Sequence, residues 1–226
     1  MLKLLVIDWD GTLADSVKTI TKCKQFLAQT YKLPLPTEET VRSVLGTKFE
    51  DALAKCFPSA SQQMLTEMGK EFHRLMQQNQ YQATPFPHVK ETLLALKKRG
   101  IKLAIATSKD REELDKAIVY NNLSGIFDIT CCGKEYKEKP DPAMLKHMME
   151  KFNAKPDECL MIGDTVIDIQ FAANAGIKTI AVTFGAHSAE KLQSANPLAL
   201  ANSWTRLFNL IEEQSKCCST QIYCRL

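Results

Sequence analysis

The sequence predicts an α/β fold in which a parallel sheet, flanked by helices, is interrupted by an all-helical insertion. Three observations carry this. Short apolar runs recur along the chain, nearly continuous rather than alternating, as in strands covered on both faces. From residue 88 onward these runs alternate with stretches of helical period. Residues 15–84 contain helical patterns and no convincing strand.

The first strand is "KLLVID" (3–8). Helical stretches follow at roughly 15–31, 38–45, 48–56 and 60–79, separated by Pro34 and Pro36, by Gly46 and by Pro58. "TPFPH" (84–88) links back to the sheet. Residues 88–98 place Val89, Leu93, Leu94 and Leu96 on one broad face, and Gly100 stops that helix. "IKLAIAT" (101–107) is a strand, 111–122 a helix, and "FDITCC" (127–132) a weaker strand. The helix over 141–152 takes Asp141 as N-cap and Pro142 as its first residue. "CLMIGD" (159–164), a helix over 166–176 ending at Gly176, and "KTIAVTF" (178–184) complete the series. After about residue 213 no period remains. The expected organisation is therefore an α/β core of 1–14 and 85–213, a helical cap of 15–84, and a poorly ordered tail of 214–226.

Composition narrows the function. The chain has 226 residues, 45% of them hydrophobic, and a formal net charge of +3 with acids and bases well mixed. That balance argues against a nucleic-acid partner or a membrane surface. No stretch resembles a secretory signal, and none approaches the ~18 uninterrupted apolar residues of a membrane span. The eight cysteines are then expected as reduced thiols in the cytoplasm, with Cys217, Cys218 and Cys224 incidental because no CxxC spacing or nearby histidine supports zinc.

The strand ends carry the chemistry. In open parallel sheets ligands bind beyond the C-terminal ends of the strands. Here the first strand ends in Asp8 and Asp10, another in Thr107-Ser108-Lys109, and a later one in Gly163-Asp164-Thr165 with Asp168 four residues on from Asp164. Lys139 precedes the helix leading into that last strand. Clustered carboxylates repel one another, and a hard cation such as Mg²⁺ relieves the repulsion while leaving room for phosphate oxygens. Lys139 adds positive charge, Thr107 or Ser108 a hydroxyl, and Gly11 a sharp turn exposing backbone N–H groups. The pattern points to a phosphate. Asp8 and Asp10, at i and i+2, start on the same side of the strand and suit a nucleophile and a proton carrier. Trp9 should face the other way and pack.

Four stretches, in order, resemble the motifs of haloacid dehalogenase-type hydrolases: "DWDGTLADS", "LAIATSKD", "KEKPDP" and "LMIGDTVIDIQFAANAG". The closest subgroup resembles phosphoglycolate phosphatases and β-phosphoglucomutases, which carry a helical cap after the first motif. The resemblance implies a Rossmann-like core and a Mg²⁺-dependent phosphatase of a small phosphorylated metabolite, phosphoglycolate or a sugar phosphate. It implies Asp8 as nucleophile forming an aspartyl-phosphate, Asp10 as acid and then base, Thr107 as phosphoryl ligand, and Lys139 as the neutralising charge. Asp8, the backbone carbonyl of Asp10 and Asp164 would hold the metal, with Asp168 orienting that shell. Gly11, Thr12 and Ser108 would face the phosphoryl group. Gly46 would lie on the cap loop over the site; Arg42, Thr47 and Lys48 would reach the substrate's distal group or stand as exposed helix charges. His187 and Ser188 lie near the rim or simply begin the next helix. A phosphomutase and a non-catalytic regulatory protein of the same fold are the alternatives; the intact acid set argues against the second.

Overall fold

The computed structural model describes residues 1–220. Strand β1 (Leu4–Ile7) is followed by four helices, α1 (Val17–Thr30), α2 (Glu38–Val44), α3 (Phe49–Cys56) and α4 (Gln62–Met76). The chain then alternates: α5 (Val89–Lys98), β2 (Lys102–Thr107), α6 (Arg111–Tyr120), β3 (Ile129–Cys132), α7 (Ala143–Lys151), β4 (Cys159–Gly163), α8 (Val166–Asn174), β5 (Lys178–Val182), α9 (Ala189–Gln193), β6 (Ala199–Ala201) and α10 (Trp204–Thr220). The strands form one parallel sheet in the order β3-β2-β1-β4-β5-β6.

That order puts β1 at the centre, with Ile7 beside Ile105 of β2 and Ile162 of β4. The chain moves outward on one side as far as β3, then returns to build the other side from β4. The reversal between β1 and β4 opens a crevice at their C-terminal ends, where parallel α/β sheets place ligands.

The strands are apolar on both faces because both are covered. Leu5, Ile7 and Trp9 pack against Val89, Leu93, Leu96, Leu114, Leu207 and Ile211 of α5, α6 and α10. Leu4 and Val6 pack on the opposite face with Met144, Leu145, Met148 and Phe171 of α7 and α8. The helices of 15–84 carry a core of their own, built on Leu27, Val41, Leu53, Met68, Phe72 and Leu75. Each such side chain, fully buried, contributes about 1.5–3 kcal/mol.

Some boundaries differ from the sequence reading. Pro142 caps α7 instead of starting it, and the Asp141 carboxylate accepts from the Ala143 N–H at 3.0 Å. Helix α10 runs to Thr220, so 214–220 continue an amphipathic helix whose buried stripe is Trp204, Leu207, Leu210 and Ile211. The side chains of Cys217 and Cys218, and all of Cys224, lie outside the described residues. Among the described residues no helix is long and apolar enough to cross a membrane.

Candidate active site

The site is assembled at the C-terminal ends of β1, β2 and β4. Asp8 continues β1, and its N–H donates to the Ile162 carbonyl at 2.9 Å. The chain then closes a tight turn: the N–H groups of Leu13 and Ala14 both donate to the Trp9 carbonyl at 3.0 Å. Gly11 sits in this turn at φ 79°. A Cβ there would collide with the Asp164 carboxylate, so the glycine opens the space that Asp164 occupies. Trp9 is buried on the face opposite the site, and Trp204 Nε1 donates to the Thr12 carbonyl at 3.1 Å beneath the same turn.

Asp164, just past β4, is clamped from two sides. The Thr12 hydroxyl donates to Oδ1 at 2.9 Å, and the Ala186 N–H donates to Oδ2 at 2.6 Å. Asp168 is fixed by the capping box that starts α8. Its Oδ2 accepts from the Thr165 hydroxyl at 2.6 Å and from the Thr165 N–H at 3.1 Å, while its own N–H donates to Thr165 Oγ1 at 3.2 Å. Lys139 bridges the two ends of the constellation: its ammonium donates to Asp8 Oδ1 and to Asp168 Oδ1, each at 2.7 Å.

Asp10 is held separately. Lys109 Nζ lies 3.3 and 3.2 Å from its two carboxylate oxygens. The Lys109 N–H also donates to the Thr107 hydroxyl at 3.2 Å. That leaves the Thr107 O–H free to donate toward the cleft, which Thr107 and Ser108 both line.

Burial pushes the Asp8 carboxyl up to about 7; Lys139 opposes the rise, and the negative charges of Asp168 and Asp10 add to it. Burial, reinforced by Asp168 and Asp8, also holds Asp164 well above the usual carboxylate range. Burial works against the Lys139 ammonium, but Asp168 and Asp8 overcome it and hold the group above the usual lysine value. Asp8, Asp164 and Asp168 each offer a carboxylate oxygen, all within 4.8 Å of one another. Three acids around one ammonium leave surplus negative charge in a buried, oxygen-only donor set. That set fits a hard divalent cation. The Asp10 carboxylate is not part of this trio; it turns to Lys109.

The cleft, about 140 Å³, lies between this rim and the helices of 15–84. Gly46, Thr47 and Lys48 line it from that side. Gly46 takes φ 82°, and a Cβ there would stand 2.9 Å from Thr165 Oγ1. The loop after α2 thus lies directly on the α8 cap. Arg42 does not line the cleft. α2 turns it toward the loop after β5, where Nη1 donates to the Gly185 carbonyl at 2.6 Å and the rest of the guanidinium pairs with Glu38. Gly11 and Thr12 lie behind the rim and act on Asp164. His187 is buried, its Nδ1 accepting from the Val166 N–H at 3.1 Å, and Ser188 caps α9.

Several cleft residues carried no assignment in the sequence reading, among them Lys24, His73, Lys109 and Glu113. His73 Nδ1 lies 2.7 Å from Glu113 Oε1 and 3.3 Å from Asp110 Oδ2. Lys24 had a visible signal, since it breaks the apolar stripe of Ile20, Cys23 and Leu27 on α1.

Comparison with known proteins agrees with this geometry. The family model for haloacid dehalogenase-like hydrolases matches residues 5–182. A phosphoglycolate phosphatase of Vibrio vulnificus (strain YJ016) is 29% identical across 93% of this chain and 96% of its own length. The pyrophosphatase PpaX of Bacillus cereus (strain G9842) is 27% identical across 95% of this chain and 99% of its own. A solved haloacid dehalogenase-like hydrolase from Streptococcus pneumoniae superposes with a TM-score of 0.82 at 23% identity, covering 93% of this chain and 98% of that one. With the family model spanning all four motifs and the fold matching over 93% of its length, the chain belongs to the haloacid dehalogenase-like hydrolases.

Proposed function

We propose that this protein is a divalent-cation-dependent phosphatase of small phosphorylated metabolites, working through an aspartyl-phosphate on Asp8. The observation that carries this reading is the division of labour between two carboxylates. Asp8 is held by Lys139 beside Asp168, while Asp10, two residues on, is held by Lys109. One acid is thereby presented as nucleophile and the other kept as proton carrier.

Asp8 attacks phosphorus in line with the leaving oxygen, and Asp10 delivers a proton to that oxygen. Asp10 then takes a proton from the water that opens the acyl phosphate. Lys139 keeps Asp8 oriented and offsets charge on the phosphoryl oxygens, to which the Thr107 hydroxyl donates. Mg²⁺, held by Asp8, Asp164 and the Asp10 carbonyl with Asp168 beside them, would supply further positive charge to those oxygens. The helices of 15–84 act as a cap that keeps bulk water from the acyl phosphate. The substrate is a small phosphorylated molecule of the phosphoglycolate kind, a reading supported by the relatives named phosphoglycolate phosphatase.

The test is phosphate release from p-nitrophenyl phosphate and a metabolite panel with and without Mg²⁺. The expected result is metal-dependent release that Asp8→Asn lowers at least about a thousandfold. Wild-type release no greater than that of Asp8→Asn, across the panel and several divalent metals, would contradict it.

A further inference from the structure

Lys24 is a buried ammonium that no described carboxylate pairs with. It stands on the buried face of α1, 3% exposed, and it lines the cleft. Its one hydrogen-bond partner among the described residues is the thiol of Cys56 on α3, with Nζ 3.3 Å from Sγ. It makes no ion pair with any described carboxylate. The other lysines of the cleft differ. Lys139 pairs with Asp8 and Asp168, Lys109 with Asp10, and Lys134 with Asp110, while Lys48 is exposed to solvent. Glu113, a buried acid that lines the same cleft, is already engaged by His73 at 2.7 Å and Lys109 at 3.8 Å.

An ammonium taken out of water with only a thiol beside it is costly, and such a charge is ordinarily paired. Elsewhere in the cleft the protein supplies the partners itself. At Lys24 it leaves the place open, on a wall formed by the cap helices and lined by Ile20, Phe49, Phe72 and Met76. The transferring phosphoryl group is already provided for at the opposite wall by Lys139 and Thr107.

We propose that Lys24 is a specificity-determining residue that pairs with a second anionic group of the substrate, at the end remote from the reacting phosphorus. The substrate class is then a small phosphate ester or anhydride carrying two anionic ends, the second a carboxylate or another phosphoryl group, and not a sugar monophosphate without a second anion. A cleft of about 140 Å³, well below the ~300–1,000 Å³ of pockets for drug-sized ligands, suits so small a molecule. This rests on the phosphatase reading above.

The test compares kcat/KM for 2-phosphoglycolate, inorganic pyrophosphate and ethyl phosphate, the last having two carbons and no second anion. Wild type should prefer at least one of the anionic probes, and which one tells carboxylate from phosphoryl. Lys24→Met should lower that preference at least about thirtyfold, chiefly through KM, and Lys24→Arg should restore most of it. Lys24→Gln replaces Lys24→Met if the latter fails to fold. No wild-type preference, or a preference unchanged within about threefold in Lys24→Met, overturns the proposal and leaves the phosphatase reading intact. Should wild type turn over none of the probes, calorimetric titration of Asp8→Asn decides. Tighter binding of an anionic probe than of ethyl phosphate, abolished by Lys24→Met, upholds the role of Lys24, and equal binding overturns it.

Discussion

At the scale of single residues, the site depends on what surrounds each carboxylate as much as on the carboxylates themselves. Asp8, Asp10, Thr107, Lys139, Asp164 and Asp168 were legible because each stands at a fixed place after a strand or before a helix, where a parallel sheet presents side chains to one rim. Gly11 and Thr12 were legible as motif members but not in what they do. Only the close approach of Asp164 shows that one makes room for it and the other holds it. Lys24 and Arg42 were not legible in the same way, because the direction a cap side chain takes depends on helix packing and not on spacing to a motif. His187 illustrates a residue-scale consequence for stability. Burial, with the Lys191 charge adding, pushes its imidazole down to about 4 from 6.5. The folded protein keeps it neutral to accept the Val166 N–H, whereas the unfolded chain protonates it near 6.5. Between pH 6.5 and about 4 the unfolded state therefore binds more protons, and the stability His187 contributes is lost as pH falls through that window. Urea midpoints measured from pH 7 to 4.5 should fall further for wild type than for His187→Gln. Parallel profiles would contradict this.

At the scale of elements, the apolar runs and helical periods located the central strands to within a residue or two, because both faces of the sheet are covered. The short β6 and the helix after it carried weaker signals. Three residues of strand cannot establish a pattern, and the Trp204, Leu207, Leu210 and Ile211 stripe lies beside a polar C-terminal stretch that masks it. The α8 start is the element on which most of the site hangs. Its capping box fixes Asp168, Asp168 anchors Lys139, and Lys139 holds Asp8. Thr165 is therefore a positioning residue as well as a helix cap. Thr165→Val should cost about 1 kcal/mol in stability by thermal or urea unfolding, in the range of other N-cap losses. Because Asp168 then loses the hydroxyl at 2.6 Å, kcat should fall by more than such a stability loss explains, while Thr165→Ser restores both. A kcat untouched by Thr165→Val would detach the cap from the site.

At the scale of the whole molecule, the protein is a parallel sheet that gathers acids at one crevice and a helical insertion that covers them. Side-chain contacts and a close backbone approach join the halves, among them His73 on Glu113, Gln77 on Glu112 and Lys116, Arg42 on the Gly185 carbonyl, and the Gly46 turn against Thr165. The insertion follows β1 directly, so the chain that carries Asp8 and Asp10 also carries the segment that closes over them. This arrangement ties water exclusion to the place where an acyl phosphate would form. The central claim, that Asp8 is the group that attacks phosphorus, is open to direct measurement. Rapid acid quench of enzyme turning over ³²P-labelled p-nitrophenyl phosphate, whose leaving group departs without a proton from Asp10, followed by peptide mapping, should find the label on the peptide containing Asp8. Asp10→Asn, which cannot activate water for the second step, should accumulate more of it, and Asp8→Asn none. Turnover without protein-bound label in Asp10→Asn, or label that persists in Asp8→Asn, would contradict the account.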